Sequence, residues 1–368
     1  MFSIPYYRVI FIITLCSLLH AAIWNGLADT VHVIVITSRS SELGGTEMHN
    51  FVLYKILLSR GYSTNILVTP ESKLETLFKS SGLPYATFST STSSTADNLV
   101  LDILPCCRQD RLNILICTLP RQLVLKEQLA TYCKAKTIVT MHMPMDNYKK
   151  FNSDCLRHAD AIVSANLDTL ELVTKATENQ EIRPVTIEHI FPFVDEDRYL
   201  HFSPKEKNRY AFFKSHGVEV RQRPVVTVIA NMYKHVSEYK NFPLLFAAIK
   251  KIDTPVEVMM AGDGVQRPAL EEMVRKMGLK RRIHFLGFIQ DIPELLYHSD
   301  IHVLPSAKES FGLVHIEAAF LKKPSIGAHG TGADMIIKDG QTGLLFKNND
   351  VDDLAKKIKL LITNQLLR

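Results

Sequence analysis

Cysteine is scarce and poorly arranged for bonding. The sequence holds six, at 16, 106, 107, 117, 133 and 155, with no Cys-x-x-Cys pair and none in the second half of the chain. That spacing offers no zinc ligand set. With Cys16 inside an apolar leader the remaining count is odd, which argues against a disulfide framework and for reduced, mostly buried thiols. Charge of one sign is equally thin: a formal +5 over 368 residues calls for no nucleic acid and suits a protein that meets anionic small molecules or an anionic membrane surface. The one basic cluster, Arg275, Lys276, Lys280, Arg281 and Arg282, reads as the solvated end of a helix. A closing glycine is missing as well. Gly262-Asp263-Gly264 begins a dinucleotide fingerprint, but Arg267 stands where the third glycine belongs, so NAD is unsupported. Low complexity is limited to Ser89–Ser94 (STSTSS), read as a flexible loop insertion.

What is present is an ordinary globular composition, 46% hydrophobic and 22% charged, which excludes disordered and fibrous classes, in a chain long enough for two domains. Residues 9–24 (VIFIITLCSLLHAAIW) form the longest apolar stretch, behind Arg8 and interrupted by Thr14, Ser17 and His20. A spanning helix wants about 20 apolar residues and a signal core about 7 to 15, and Gly26 and Ala28 offer a small-x-small cleavage site. Cleaved signal, membrane anchor and interfacial helix are the three readings.

Beyond the leader, Val31 opens a β-branched run, VHVIVIT. A turn containing Gly44 and Gly45 follows, then a helix from Met48 to about Arg60. Asn65–Thr69, Ile114–Cys117, Thr137–Thr140 and Ala161–Ser164 read as further buried strands between helical stretches, the alternation of a parallel α/β sheet. The pattern breaks at Phe191–Tyr199, and a second α/β unit starts at Val225. Its densest stretch runs from Asp300 to Leu321. A short apolar run (DIHVLP) leads into Ala307-Lys308-Glu309-Ser310-Phe311-Gly312-Leu313, and Leu313, Ile316, Phe320 and Leu321 then recur at helical spacing. The N–H groups of Phe311, Gly312 and Leu313 open that helix without intrahelical partners and could receive a phosphate. Glu309 precedes this anion site and Glu317 lies two turns into the helix, a placement suited to gripping hydroxyls on both sides of a diphosphate. Alone, such a pair is an ordinary solvated feature of a helix edge.

The run Val256–Phe346 carries Ala261-Gly262-Asp263-Gly264, Phe285-Leu286-Gly287-Phe288, Leu304-Pro305-Ser306, the Glu-x7-Glu segment and Asp339-Gly340-Gln341-Thr342-Gly343-Leu344-Leu345, in that order. It resembles the donor-binding half of retaining glycosyltransferases of the GT-B fold, family 4 (glycosyl transferases group 1). The resemblance implies an α/β fold with two doubly wound Rossmann-like domains facing a central cleft. The expected division is a hydrophobic leader at 1–28, an acceptor-side domain at 29–198 and a nucleotide-sugar-binding domain at 199–368. Pro192-Phe193-Val194-Asp195 resembles the family's crossover, with Phe193 departing from its pattern.

The implied activity is transfer of a sugar, with retention, from a UDP-, GDP- or ADP-sugar to a glycan or lipid-linked acceptor. Glu317 is implied to bind the ribose hydroxyls and Glu309 those of the transferred sugar. Lys240 matches the family lysine beside the diphosphate, and the family arginine position holds Tyr233 or Lys234, of which Lys234 is implied to supply the charge and to join the donor-binding set, without arginine's bidentate fork. Gly44 and Gly45 are implied to face the diphosphate, and His142, ending a strand, resembles the histidine that reaches the donor sugar. Gly262 and Phe288 join the donor-binding set with Phe311, Gly312 and Leu313; Glu309, His142 and Lys240 form the catalytic set. No cofactor is expected. Asp195-Glu196-Asp197 and Asp350-Val351-Asp352 imitate a metal-binding Asp-x-Asp but fall where carboxylates favour a helix start. Because nucleotide sugars are mainly cytosolic, the expectation is a cytoplasmic catalytic body, membrane-associated through residues 9–24. The rival readings are a catalytically weak sugar-nucleotide-binding protein, or a GT-B phosphorylase or epimerase.

Overall fold

A computed structural model describes residues 30–38, 43–89, 96–118, 122–123, 125–142, 156, 158–165, 167–179, 185–192, 194–233 and 239–365. The leader at 9–24, most of the Ser/Thr-rich loop and Lys234 lie outside them. Among the described residues no helix is long and apolar enough to cross a membrane. The chain divides into two compact units, Met1–Phe193 and Val194–Arg368. The division thus falls within the crossover segment, ahead of the boundary expected after residue 198. Within that segment Val194 and Tyr199 pack with Leu296 and Ala318 of the second unit.

The first unit contains strands β1 (Val31–Ile36), β2 (Ser63–Val68), β3 (Ala86–Thr87), β4 (Leu112–Cys117), β5 (Ala135–Met141), β6 (Ala161–Ser164) and β7 (Thr186–His189). They form one sheet in the order β3-β2-β1-β4-β5-β6-β7, with parallel pairing throughout. All six residues of β1 are buried, the signature of a strand covered on both faces. Val31, Val33 and Val35 join Phe51, Tyr54 and Phe78. Ile34 and Ile36 join Leu115 and Val139 on the other face, as the two-residue side-chain period requires. Cys106, Cys107, Cys117 and Cys133 are free thiols.

The second unit contains β8 (Val225–Ile229), β9 (Glu257–Ala261), β10 (Ile283–Gly287), β11 (Ile301–Leu304), β12 (Ser325–Ala328) and β13 (Gly343–Phe346). Their order is β10-β9-β8-β11-β12-β13, again all parallel. In each sheet the winding direction reverses beside the first strand, between β1 and β4 and between β8 and β11. Sheets of this kind bind ligands outside the carboxyl ends of the strands at such a switch point. The basic cluster is a surface feature: Arg275 bonds Glu272 at 2.6 Å, and Arg282 donates to the carbonyl of Ile252 at 2.9 Å.

Candidate active site

The loops after β8 and β11 bring together Lys240 and Glu309. Lys240 Nζ donates to Glu309 Oε2 at 2.5 Å, and Ser306 Oγ donates to the same oxygen at 3.2 Å. The two charged side chains are 19% and 13% exposed, so this is a shielded pair rather than a surface salt bridge worth about 0–1 kcal/mol. Burial pushes the Glu309 carboxyl up. The Lys240 charge and hydrogen bond outweigh it, and the net shift is downward; the group is a carboxylate at neutral pH. The surrounding turn is pinned by backbone and amide contacts. Ala307 N–H donates to Tyr239 O at 2.7 Å and Gly332 N–H to Glu309 O at 2.8 Å, while Asn348 Nδ2 donates to Ala307 O at 2.8 Å.

The helix opened by this turn is Leu313–Phe320, with Gly312 at its N-cap in the left-handed region, φ 89°. A Cβ at Gly312 would lie 2.8 Å from His315 Cδ2, so both conformation and space require glycine there. Gly332 approaches the turn from the other side. A Cβ on it would lie 2.5 Å from Phe311 N and Cα and from Ser310 C. Underneath sits His315, 1% exposed, with its ring centroid 5.2 Å from that of His302, which in turn meets Ser325 Oγ at 3.2 Å. Among the described residues neither ring nitrogen of His315 is hydrogen-bonded.

Burial holds the His315 pKa down to about 4, against an upward pull from Glu309. Its consequence for stability has a definite sign. Below the ordinary value of 6.5 the unfolded chain takes up a proton that the folded chain refuses until about 4. Stability from this group is therefore complete above pH 6.5 and lost as the pH falls through that window. Thermal denaturation followed against pH is expected to show a shallower loss in His315→Gln than in the wild type over this range. Identical slopes would mean that the buried ring protonates without penalty.

Glu317 projects from the same helix. Burial raises its carboxyl pKa, and the neighbouring Tyr199 hydroxyl and Arg198 charge oppose the rise. Gly262, with φ 137°, serves backbone packing: a Cβ on it would fall 1.9 Å from Ala230 O. Its N–H donates to Gly287 O at 2.8 Å, and Met232 N–H donates to Asp263 O at 2.9 Å, so the Gly-Asp-Gly segment clasps the exit of β8. Phe288 follows β10 and is half-buried. Asp350 accepts from Asp352 and Asp353 N–H at 3.0 Å each and so caps the helix Val351–Thr363. Asp197 lies in the first turn of the short helix Asp197–Leu200. Both Asp-x-Asp runs therefore stand at helix starts.

In the first unit, Gly44 and Gly45 lead into the helix Gly45–Ser59. Glu47 Oε2 accepts the Gly44 N–H at 3.0 Å and Glu47 Oε1 accepts from Ser38 Oγ at 2.5 Å. A carboxylate of the chain itself thus caps this helix, three residues after its N-cap, where a capping glutamate belongs. His142, at the end of β5, packs its ring against His49 with centroids 4.5 Å apart. Burial lowers its pKa to about 4, so the imidazole is neutral at physiological pH. Ser306, Gly332, Tyr199, Glu47 and His315 were not anticipated as site residues. Of these only Glu47 carries a local signal, its capping position.

A model of the family described as Glycosyl transferases group 1 matches residues 221–368. The chain is similar to N-acetyl-alpha-D-glucosaminyl L-malate synthase of Bacillus anthracis, 28% identical over 183 residues, 50% of this chain and 46% of that protein. It is also similar to alpha-D-kanosaminyltransferase of Streptomyces kanamyceticus, 30% identical over 114 residues, 30% of each chain. The chain thus spans less than half the length of these relatives. Among solved structures, Anabaena Alr3699/HepE in complex with UDP and glucose matches with a TM-score of 0.73 at 19% identity, covering 92% of this chain and 91% of that one. WaaG, a glycosyltransferase involved in lipopolysaccharide biosynthesis, matches with a TM-score of 0.62 at 13% identity, covering 92% of both. At such identities the likeness is one of fold, and the fold is GT-B.

Proposed function

We propose, from the match of the glycosyl transferases group 1 model to residues 221–368, that this chain moves a sugar from a nucleoside diphosphate sugar to a glycan or lipid-linked acceptor, with retention at the anomeric carbon. The observation that carries this reading is the shielded Lys240–Glu309 pair at 2.5 Å, held at the β8/β11 switch point beside a helix N-terminus. The pair joins an ionised carboxylate, able to accept sugar hydroxyls, to a cation able to sit beside a leaving diphosphate. In the reaction the bond from anomeric carbon to phosphate oxygen breaks, and the acceptor oxygen bonds that carbon on the face the phosphate leaves. The departing phosphate oxygen takes the acceptor proton, so no dedicated protein base is needed. Glu309 positions the transferred sugar, Glu317 the ribose, and Lys240 with the opening N–H groups of Gly312 and Leu313 stabilises the charge that develops. For Gly44 and Gly45 the proposed partner is the diphosphate; for neutral His142 it is a hydroxyl of the donor sugar. That Anabaena Alr3699/HepE was solved with UDP and glucose supports a UDP-sugar as the first donor to try. The leader at 9–24 is proposed to hold this body at the cytoplasmic face of a membrane.

The test is a panel of UDP-, GDP- and ADP-sugars. A true donor raises the apparent stability, because it binds only the native state, and release of nucleoside diphosphate should then depend on acceptor. Binding without release over an acceptor panel would favour a sugar-nucleotide-binding protein, and no binding by any member would reject the proposal. Turnover is expected to survive EDTA, since Lys240 and the helix N–H groups supply the positive potential. Loss on chelation with recovery on adding Mn²⁺ would reassign the acidic runs at Asp195 and Asp350.

A further inference from the structure

We infer that Ser306 is a positioning residue for Glu309: with Lys240 it ties down one carboxylate oxygen, Oε2, and so turns the other, Oε1, toward a hydroxyl of the donor sugar. The inference deepens the donor-binding reading of Glu309 and rests on it. Ser306 follows β11, with Pro305 between them, and is 1% exposed. Its hydroxyl donates to Glu309 Oε2 at 3.2 Å, the same oxygen that Lys240 Nζ reaches at 2.5 Å. Those two donors fill the lone pairs of Oε2. Oε1 accepts no hydrogen bond among the described residues, and it is not one of their buried atoms left without a partner. It is the oxygen open to a ligand. A carboxylate held in this way presents one acceptor in one direction.

Lys240 alone cannot set that direction. An ammonium is a point charge on a flexible stem with rotatable donors, so it fixes a distance and leaves the carboxylate plane free to turn about the contact. Ser306 removes that freedom, because its short side chain springs from backbone held at the exit of a buried strand. The next residue is held from two sides: Ala307 N–H donates to Tyr239 O at 2.7 Å, and Asn348 Nδ2 donates to Ala307 O at 2.8 Å. Packing does not explain the serine oxygen, since alanine would fill nearly the same space without a polar atom. A buried hydroxyl must recover within the protein the bond it loses to water, and this one recovers it on Glu309. The titratable groups facing Glu309 are Lys240 and His315. Neither ring nitrogen of His315 is hydrogen-bonded among the described residues, which leaves the serine as the donor that orients the carboxylate.

The experiment compares the full-length wild type, Ser306→Ala, Glu309→Gln and the double variant. UDP affinity is measured by calorimetry, and UDP release from UDP-glucose is followed with water as the acceptor. Ser306→Ala is expected to leave UDP affinity unchanged and to slow release about tenfold, the low end for a lost hydrogen bond to a charged group, because Lys240 still holds the oxygen. In the Glu309→Gln background the same substitution should cost nothing further, since Ser306 acts through that carboxylate. A carboxyl ¹³C titration, with the Glu309 signal identified by its loss in Glu309→Gln, should move upward in Ser306→Ala, because the bond removed favours the charged form. Equal losses in UDP affinity and release, a cost that persists in the Glu309→Gln background, or a Glu309 titration that does not move would each overturn the inference. If the wild type neither binds UDP, GDP or ADP nor releases UDP from UDP-glucose, the donor reading of Glu309 fails instead. The titration then decides by itself whether Ser306 sets the carboxylate.

Discussion

Replacing Lys240 by methionine should abolish measurable transfer and destabilise the second unit at once. Removing one partner of a buried ion pair leaves the other charge uncompensated, at about 3–5 kcal/mol. The cost falls on Glu309, whose carboxyl is kept below its ordinary range chiefly by Lys240 against the opposing effect of burial. The double variant Lys240→Met with Glu309→Gln removes both charges. It should recover much of the lost stability, because a neutral pair carries no unpaired charge, yet recover no activity. That dissociation separates a catalytic pair from a structural one.

The single carboxylate variants should then differ in kind. Glu309→Ala is expected to lower turnover more than donor affinity, since it touches the sugar whose charge and position change in the transition state. Glu317→Ala should weaken donor binding instead. Each effect should be roughly ten- to two-hundred-fold, the equivalent of about 1.5–3 kcal/mol for a lost hydrogen bond to a charged group. Steady-state kinetics and donor calorimetry on folded variants settle the matter. Near wild-type values in all of them would show that this turn is only a helix entrance.

The second large effect is expected from one methyl group. Gly332→Ala would place a Cβ 2.5 Å from the backbone of Ser310 and Phe311, and backbone cannot move aside as the end of a flexible side chain can. Overpacking of this kind costs about 1–3 kcal/mol or more. Here the strain lands on the turn between Glu309 and Gly312, whose register is set partly by the Gly332 N–H bond to Glu309 O at 2.8 Å. Donor affinity should therefore fall more than stability. Gly340→Ala is the control. Gly340 also has a positive φ, 74°, but open space around it, so its cost should appear in the melting temperature and not in donor binding. Equal donor affinity in Gly332→Ala and the wild type would mean that the turn accommodates the methyl without moving.

Several elements were legible locally. Strand β1 could be read because burial on both faces appears in the sequence as a consecutive β-branched run. The helix at Leu313–Phe320 could be read because its apolar residues recur at helical spacing after a glycine that alone fits the left-handed N-cap. The acidic start of the helix Val351–Thr363 identified itself as a cap. The packing of Tyr199 with Leu296 and Ala318 was not legible, because those partners lie far along the chain and nothing next to Tyr199 in sequence announces the contact. That a Cβ on Gly262 would fall 1.9 Å from Ala230 O was not legible in its motif, because it depends on β9 lying beside β8.

By itself, then, the sequence determined two α/β units, the Glu-x7-Glu turn and the order of motifs around it, because each is written in periodicity and spacing along one stretch of chain. Only the tertiary structure decided that Lys240 reaches Glu309, that Ser306 shares its carboxylate, that Gly332 presses on the turn and that Tyr199 lies against the helix of Glu317. Those contacts follow from β8 lying beside β11 and β11 beside β12. Strand order is set by which pairings bury both faces of the whole sheet, a condition that no local stretch of residues can express.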